Sequence, residues 1–322
     1  MQGVGSVGRQ FDPGHPHVLI VGPGSMGLMH AGLLARAGVS VTVLDYRPER
    51  AAYFNEAGIT VRGAAGDFHV PVRVMAVAAE VPPPDLAVFF VKAYSTAGAL
   101  RHAQDALTEH TCLLTLQNGL GNYELLMDYA GGRPVLAGTT SSGAYRTADG
   151  EVLIAAVGDI QIAGADAAGS IAAGVCEMFA SGGLPAQVCP DPAALLWRKA
   201  IVNAAINPLA ALAGVRNGIL LEVPGLRPLL RGLAQEAEQI ASAAGIVISE
   251  DMVATAEKVA AQTAQNRCSM LQDLQAGRRT EIEQINGRIA AVGRQHDVSS
   301  CLNETITRLV EAAETQKGIG QA

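Results

Sequence analysis

The stretch that decides the fold is Val18-Leu19-Ile20-Val21-Gly22-Pro23-Gly24-Ser25-Met26-Gly27. Its first four residues are a continuous apolar run, which is typical of a buried parallel strand. Three glycines follow at the spacing G-x-G-x-x-G, and apolar residues at helical spacing then run from Ser25 to Ala37. Gly38 is a suitable residue to end that helix. The stretch therefore predicts a strand, a tight glycine turn and a helix in direct succession.

Each glycine of the turn has a physical purpose. Gly22 permits the tight turn, Gly24 lets a pyrophosphate approach bare backbone, and Gly27 allows the helix to pack closely on the strand. The free N–H groups and positive dipole end of the helix attract phosphate. The spacing alone is a weak signal in a chain with 36 glycines, but the flanking strand and helix strengthen it. We predict that Gly22-Pro23-Gly24-Ser25-Met26-Gly27 binds the pyrophosphate of a dinucleotide.

The end of the next strand bears on the choice of dinucleotide. The Val-rich segment from Val39 to Leu44 leads to Asp45, about 20 residues after Gly22, where a ribose-binding acid is expected. A carboxylate there accepts from the ribose 2′-hydroxyl and repels a 2′-phosphate, which favours NAD. Arg47 and Arg50 follow closely, either as solvated loop charges or as ligands of a 2′-phosphate. We assign Asp45, Tyr46 and Arg47 to the cofactor site and predict NAD or NADP, with a slight preference for NAD.

Strand and helix patterns alternate along the rest of the first half of the chain, which predicts a doubly wound, mostly parallel sheet of the Rossmann type. The further predicted strands are Phe68–Val74, Leu86–Val91, Cys112–Leu116 and Val135–Thr140, with helices at Thr96–Thr108 and Tyr123–Tyr129. Val152–Ala156 and Asp159–Ala163, joined through Val157-Gly158, are predicted to form a hairpin that adds to this sheet.

The sequence pattern changes between Pro185 and Pro192, after which only helical patterns follow. The predicted helices are Ala193–Ala213, Arg227–Ala244, Met252–Gln265, Thr280–Gln295 and Asn303–Gln316. We therefore expect an α/β fold class with three parts: a flexible extension over residues 1–16, a dinucleotide-binding domain over 17–190 and an all-helical C-terminal domain over 191–322. A cleft between two such domains is the expected place for a small-molecule site.

Composition excludes several classes of partner. A net charge of −7 without a basic tract disfavours nucleic acid and anionic membranes. Five scattered cysteines without a Cys-x-x-Cys pair disfavour a disulfide framework or a metal site and agree with a cytoplasmic location. The most apolar stretch, Ile201 to Val215, is shorter than the about 20 residues that a membrane helix needs. For the apolar helices two alternatives remain, a homodimer interface or only the core of their own domain.

One helix carries an unusual polar stripe. Lys199, Asn203 and Asn207 recur every four residues and therefore lie on one helix face. The residues between them are apolar, so the stripe is expected in a buried surface, where polar groups require partners or a ligand. A helix–helix or inter-domain contact is the alternative; it would explain one asparagine well and all three residues poorly.

Further candidates lie downstream and at two strand ends. Asn266 and Ser269 are one helical turn apart, and a chain break near Gly277 would bring Ser269 and Glu281 to one site. Taken alone, the charged run around Glu281 is typical of a solvated helix face. Lys92 and Asn118 each follow the carboxyl end of a predicted parallel strand, which is where open α/β sheets bind ligands. In isolation, either could be an ordinary loop residue.

Together these residues resemble the ketopantoate reductase (2-dehydropantoate 2-reductase) family. The resemblance covers the chain from about Val18 to its last helix. Its motifs are the glycine turn, Val91-Lys92-Ala93, Gln117-Asn118-Gly119-Leu120-Gly121, Leu196-Trp197-Arg198-Lys199 with Asn203 and Asn207-Pro208, and Ser269-Met270-Leu271-Gln272-Asp273 through Arg279-Thr280-Glu281-Ile282.

The resemblance implies reduction of ketopantoate to (R)-pantoate by NAD(P)H in pantothenate biosynthesis. By their positions, Lys199 matches the general acid, and Glu281 matches the acid that orients the substrate and supports that lysine near the cofactor. Asn203, Asn207 and Ser269 match substrate-binding positions, to which we add Asn266. Asn118 and Lys92 match positions near the nicotinamide and its ribose, and Asn118 is also assigned to the substrate.

The chain departs from the family at the end of the second strand, where many members have an arginine and prefer NADP, whereas here Asp45 is present. Two alternatives to the implied activity remain. One is a reductase of another 2-oxo acid with the same residues. The other is a dinucleotide-sensing regulator without catalysis, which would have little use for the polar stripe.

Overall fold

The structure is a computed structural model that describes residue 11 and residues 14–147, 151–165 and 167–319. Most of the predicted extension over residues 1–16 lies outside these residues. The chain forms two compact units: a sheet unit of Met1–Gln117 and Asn122–Leu195, and a helical unit of Asn118–Gly121 and Leu196–Ala322.

The sheet unit contains the strands and the first helices. The strands are β1 (His17–Val21), β2 (Ser40–Leu44), β3 (Ile59–Gly63), β4 (Phe68–Val70), β5 (Arg73–Met75), β6 (Leu86–Phe89), β7 (Cys112–Thr115), β8 (Val135–Thr140), β9 (Gly143–Arg146), β10 (Val152–Ala156), β11 (Ile160–Gly164) and β12 (Ala186–Val188). The helices are α1 (Ser25–Arg36), α2 (Pro48–Ala57), α3 (Thr96–Ala103), α4 (Asn122–Tyr129) and α5 (Ala167–Ser181).

The main sheet has the strand order β12-β11-β8-β7-β6-β1-β2-β5. Its neighbours are parallel except for β8 and β11, which are antiparallel. This confirms the predicted doubly wound, mostly parallel sheet. Strand β1 lies between β2 and β6, so its carboxyl end is the point where the strand order reverses and where such sheets bind ligands.

Both faces of β1 are buried, as its continuous apolar run predicts. Val18 and Ile20 pack into the core on one face, together with Leu28 and Leu33 of α1. Leu19 belongs, with Val21, to the core on the other face. This two-sided burial explains why the strand shows no apolar–polar alternation.

The predicted hairpin of β10 and β11 is wrong. Strand β10 belongs to a second sheet of order β4-β3-β10-β9, where it pairs with β3 in parallel and with β9 antiparallel. Strand β11 instead pairs with β8 and β12 in the main sheet. The physical reason is that both segments have strand patterns but Val157-Gly158 is not a hairpin turn of the Asn-Gly type, so nothing local pairs them.

The helical unit follows in six complete helices and most of a seventh within the described residues. They are α6 (Pro192–Ala213, which begins in the sheet unit), α7 (Ile219–Glu222), α8 (Leu226–Ala243), α9 (Met252–Gln262), α10 (Ser269–Gln275), α11 (Arg288–Gln295) and α12 (Cys301–Gln316). Among the described residues, no helix is long and apolar enough to cross a membrane.

The helix predicted over Thr280–Gln295 is shorter than expected and begins irregularly. A π-helical turn over Glu283–Gly287 precedes α11, and Glu281 lies in the bend before it. The predicted break near Gly277 is confirmed, because α10 ends at Gln275 and Gly277 has a φ of +65°. The π-helical turn is a geometry found often at functional sites.

Candidate active site

The glycine turn has the geometry that a pyrophosphate requires. Gly22 has a φ of +104°, and a methyl group there would lie 2.6 Å from Cγ1 of Val91. A methyl group at Gly27 would overlap the carbonyl oxygen of Gly22. Above Gly24, in contrast, no atom lies closer than 3.9 Å to such a methyl group, and no side chain caps the start of α1. The turn therefore leaves an open cradle of bare backbone at a helix N-terminus, which fits a dinucleotide.

Asp45 is fully buried and bonded to Arg50. The Asp45 carboxylate accepts from Arg50 Nη2 at 2.6 Å and from Arg50 Nε, and it also accepts from the backbone N–H of Arg47 at 3.1 Å. Arg47 is exposed, and its Nε donates to the hydroxyl of Tyr46 at 2.9 Å. The acid that the sequence assigned to the ribose is therefore already paired with a guanidinium group.

A buried polar network, which the sequence reasoning missed, fixes the loop that carries Lys92. Gln117 Nε2 donates to the carbonyl oxygen of Val91 at 2.7 Å and to Thr96 Oγ1 at 2.8 Å. Thr96 Oγ1 also lies 2.8 Å from Asn122 Oδ1. Lys92 directly follows Val91, so this network holds its backbone at the carboxyl end of β6. Gln117 lies within a quoted motif, but nothing in the sequence showed its partners.

Asn118 lies in a short loop that packs on the helical unit. The backbone N–H of Leu120 donates to the carbonyl oxygen of Gln284 at 2.9 Å. Gly119 has a φ of +86°, and a methyl group there would lie 2.7 Å from the same oxygen. Because Gln284 is in the π-helical turn after Glu281, this contact holds Asn118 in the part of the helical unit that carries Glu281.

The polar stripe lies on α6 as predicted from its period. Lys199 and Asn203 are partly buried, and Asn207 is only 7% exposed. Within the described ranges, neither the Asn203 nor the Asn207 side-chain amide has a hydrogen-bond partner. The backbone carbonyl of Asn207 accepts from Cys268 Sγ at 3.4 Å, so the residue before Ser269 contacts α6 next to the stripe.

The charge state of Lys199 is set by burial and by Glu281. Burial lowers the pKa of Lys199 from its ordinary value of 10.5 to about 8, and the charge of Glu281 acts in the opposite direction. Glu281 is itself only 6% exposed. The structure thus brings Lys199 and Glu281 close enough to interact electrostatically. A hydrogen bond in the same region joins residues that are equally distant in the sequence, since 82 positions separate Asn286 from Ala204.

Pro208 explains how the Glu281 segment is attached to α6. Proline has no N–H, so the carbonyl oxygen of Ala204, four residues earlier, has no donor within the helix. Asn286 Nδ2 donates to that oxygen at 3.0 Å, and also to Asn303 Oδ1 at 2.9 Å. Asn303 Nδ2 donates in turn to Glu236 Oε1 at 2.8 Å. Asn286 was not among the predicted site residues.

The remaining candidates are more exposed. Ser269 is the first residue of α10, and Asn266 precedes it in a loop whose carbonyl oxygen accepts from the N–H of Asn217 at 3.1 Å. Both side chains are exposed. Contact of Cys268 with α6 places Ser269 close to the stripe, whereas no described contact links Asn266 to it. In the described part of the chain, no group of three or more His, Cys, Asp and Glu residues is arranged to hold a metal ion.

Comparisons with known proteins identify the family of the chain. The family model described as "Ketopantoate reductase PanE/ApbA" matches residues 18–167, and the model of its C-terminal part matches residues 192–314. A 2-dehydropantoate 2-reductase from Halobacterium salinarum is 37% identical over 92% of this chain and 98% of its own length.

Solved structures agree as well. A PanE/ApbA family ketopantoate reductase from Ralstonia eutropha JMP134 has a TM-score of 0.86 and 27% identity, and the match covers 94% of this chain and 99% of that one. A D-mandelate dehydrogenase with NADH and anilino(oxo)acetate has a TM-score of 0.88 over the same shares, but at 23% identity it shows the fold alone. With two family models across most of its length and a relative at 37% identity, the chain belongs to the ketopantoate reductase family.

Proposed function

We propose that this chain reduces ketopantoate (2-dehydropantoate) to (R)-pantoate with NAD(P)H, in pantothenate biosynthesis. The observation that carries the proposal is the polar face of α6, where Lys199, with a pKa of about 8, is followed by two amides without partners in the described ranges. Family membership supports it, since the relative from Halobacterium salinarum bears this activity in its name.

Lys199 acts as the general acid. A lysine with a pKa near 8 keeps its proton at neutral pH but releases it more readily than an ordinary lysine. Its ammonium group donates a hydrogen bond to the ketone oxygen, stabilises the negative charge that develops there and transfers its proton to it. NAD(P)H, when bound, supplies the hydride for the ketone carbon, so the C=O group becomes CH–OH.

Glu281 keeps Lys199 protonated. Burial favours the neutral amine, and the Glu281 carboxylate opposes that effect by raising the lysine pKa. Without this charge, the pKa would fall further and less of the enzyme would carry the reacting proton at pH 7. The same carboxylate is a suitable acceptor for a substrate or cofactor hydroxyl group, which is the second role we assign to it.

The neutral side chains bind the rest of the substrate. Ketopantoate carries a carboxylate and a hydroxyl group in addition to the ketone, and amides and hydroxyls satisfy both without a second strong charge. The Asn207 side chain is only 7% exposed and has no hydrogen-bond partner among the described residues, so it is available to bind such a group. We assign Asn203, Asn207 and Ser269 to this role, and Asn266 and Asn118 to the edge of the same site.

The sheet unit binds the cofactor. Open backbone over Gly24 and the uncapped start of α1 support pyrophosphate binding by the turn Gly22–Gly27. Lys92 follows the carboxyl end of β6 and, with Asn118, is assigned to the nicotinamide and its ribose.

The test is a steady-state assay of the purified chain that follows cofactor oxidation with ketopantoate and, in parallel, with 2-oxo acids that lack its hydroxyl group. We expect the highest kcat/KM on ketopantoate, with NADPH or NADH. Lys199→Met should lower kcat by about 10²–10⁴-fold, whereas the exposed Lys258 on α9 provides a matched control, Lys258→Met, with normal turnover. Equal kcat/KM on an acid without the hydroxyl group, or near-normal turnover of Lys199→Met, would refute the proposal.

A further inference from the structure

The backbone on the two sides of Glu281 is fixed in different ways. On the carboxyl side, the carbonyl oxygen of Glu281 accepts from the N–H of Ile285 at 3.0 Å, inside the π-helical turn. On the amino side, residues 278–280 belong to no helix or strand. A buried backbone N–H group there requires a partner of another kind. The position of Glu281 therefore depends on what binds the residue before it.

Glu314, near the end of α12, supplies that partner. The backbone N–H of Thr280 donates to Glu314 Oε1 at 2.6 Å, across 34 positions of sequence. Thr280 is only 2% exposed, and its Oγ1 accepts in turn from the N–H of Ile282 at 3.3 Å. The two bonds hold the residues on either side of Glu281. The first has a charged acceptor, which makes it stronger than a bond between neutral groups.

The surroundings of Glu314 give no other reason for a carboxylate at this position. Among the described residues, its side chain has no basic partner and makes no second hydrogen bond. Burial and the charges of Glu283 and Glu314 raise the pKa of Glu311, one turn earlier on α12, and Arg279 and Arg308 act in the opposite direction. Carboxylates held this close repel one another. The carboxylate of residue 314 is therefore retained for the bond that it makes.

The charge of Glu281 acts on Lys199 in a way that depends on distance. In the described part of the chain, it is the one charge that raises the pKa of Lys199 against the effect of burial. The interaction between two charges weakens as the distance between them grows. A shift of the backbone before Glu281 therefore changes the fraction of the lysine that keeps its proton near pH 8.

We propose that Glu314 is a positioning residue for proton transfer to the ketone: by binding the N–H of Thr280, it holds the Glu281 carboxylate beside Lys199. The inference rests on the proposed function, in which Lys199 is the general acid. Because Glu314 acts through a hydrogen bond, its acceptor oxygen is essential and its charge is not. A glutamine at this position has an oxygen of the same reach and can accept the same bond.

The test separates the acceptor from the charge. Glu314→Gln keeps the acceptor, Glu314→Asp keeps the charge but withdraws it by one methylene group, and Glu314→Met has neither. Glu311→Met is the matched control, because it removes a carboxylate of the same helix whose side chain makes no hydrogen bond within the described ranges. Thermal melting of each full-length chain shows whether it is folded.

Two measurements are made on every chain. One is the pH–rate profile of kcat with ketopantoate. The other is the titration of the Lys199 amine by competitive acetylation with acetic anhydride at a series of pH values, read by mass spectrometry. The second measurement requires neither substrate nor turnover.

In Glu314→Met and Glu314→Asp, the titration of Lys199 should move to lower pH by about half a pH unit or more, so that kcat falls by about twofold or more at pH 8 and hardly at pH 6. Glu314→Gln and Glu311→Met should titrate as the wild type does. Should Glu314→Met fail to fold, the difference between Glu314→Asp and Glu314→Gln decides.

Three results would overturn the role of Glu314. They are a loss of kcat by the same factor at every pH, an unmoved titration of Lys199 in Glu314→Asp and Glu314→Met, and a shift in Glu314→Gln as large as that in Glu314→Asp. The first two would leave Glu314 a support of the fold, and the third would make it a distant charge.

The two proposals fail separately, because the acetylation requires no substrate. A chain in which Lys199 titrates as expected in every variant, but which does not reduce ketopantoate, would refute the proposed function alone. A chain that reduces ketopantoate, but in which the titration of Lys199 does not respond to Glu314→Asp or Glu314→Met, would refute the role of Glu314 alone.

Discussion

Replacing Lys199 by methionine should make the protein more stable while it lowers kcat by about 10²–10⁴-fold. The side chain is partly buried on α6, and its pKa has fallen from 10.5 to about 8 because burial disfavours the ammonium form. Methionine occupies a similar volume without a charge. A lysine that served the fold would behave in the opposite way, so the sign of the stability change separates a functional from a structural role.

The magnitude follows from the pKa of Lys199. One pKa unit corresponds to about 1.4 kcal/mol, so the fall to about 8 represents about 3 kcal/mol of penalty for the charged form at pH 7. Lys199 is partly exposed, and its removal leaves the buried Glu281 without that cation, so we expect a net gain of about 1–2 kcal/mol.

The gain should depend on pH. The folded pKa lies below the unfolded value, so the unfolded chain binds more protons between pH 8 and pH 10.5. The penalty in the wild type is therefore complete below pH 8 and disappears as the pH rises towards 10.5.

Urea unfolding at pH 7 and at pH 10 measures the gain in stability and its dependence on pH. Lys258→Met is the control for loss of an exposed lysine on α9. We expect Lys199→Met to exceed the wild type in free energy of unfolding at pH 7 and to lose most of that advantage at pH 10. A variant less stable than the wild type at pH 7, or an advantage of equal size at both pH values, would refute the reasoning.

Three further predictions concern the same unit. The kcat of the wild type should fall as pH rises through about 8, and Glu281→Gln should move that fall to lower pH in a pH–rate profile; an unmoved profile would contradict the role of Glu281. Asn207→Leu should raise KM for ketopantoate by roughly 10- to 100-fold without lowering the melting temperature, and an unchanged KM would exclude substrate contact. Asn286→Leu should lower the free energy of unfolding by about 2–3 kcal/mol, because the Ala204 carbonyl and Asn303 lose a buried donor; Asn266→Leu, at an exposed position, is its stability control.

The first βαβ unit could be predicted almost to the residue because its signals are local. The apolar run, the glycine spacing and the helical period each concern neighbouring residues, and β1, α1 and β2 begin and end within one residue of the predicted bounds. The pairing of β10 could not be predicted in the same way. Its pattern is that of a strand, but its partners β3 and β9 are chosen by packing on α1, which depends on residues far away in the sequence.

The residues of the candidate site also differ in whether local sequence signals could predict them. Helical period alone placed Lys199, Asn203 and Asn207 on one face, and the glycine at 277 located the chain break before Glu281. Glu314 was missed because 34 positions separate it from Thr280 and no local pattern links the two. Asn286 was missed too, but a signal existed: a proline inside a helix leaves a carbonyl that some distant donor must satisfy.

Helix α6 departs from the rules of a stable buried helix in three respects: Pro208, Lys199 and the two amides. Other residues of the fold compensate these departures to different degrees. Asn286 supplies the donor that Pro208 lacks, so that departure is compensated within the fold. Glu281 offsets the burial of Lys199 only in part, since its pKa stays near 8. The amides of Asn203 and Asn207 receive no compensation from the described residues. A helix shaped by stability alone would carry apolar side chains at these positions. This difference supports our proposal that the partners of the uncompensated residues arrive with the substrate.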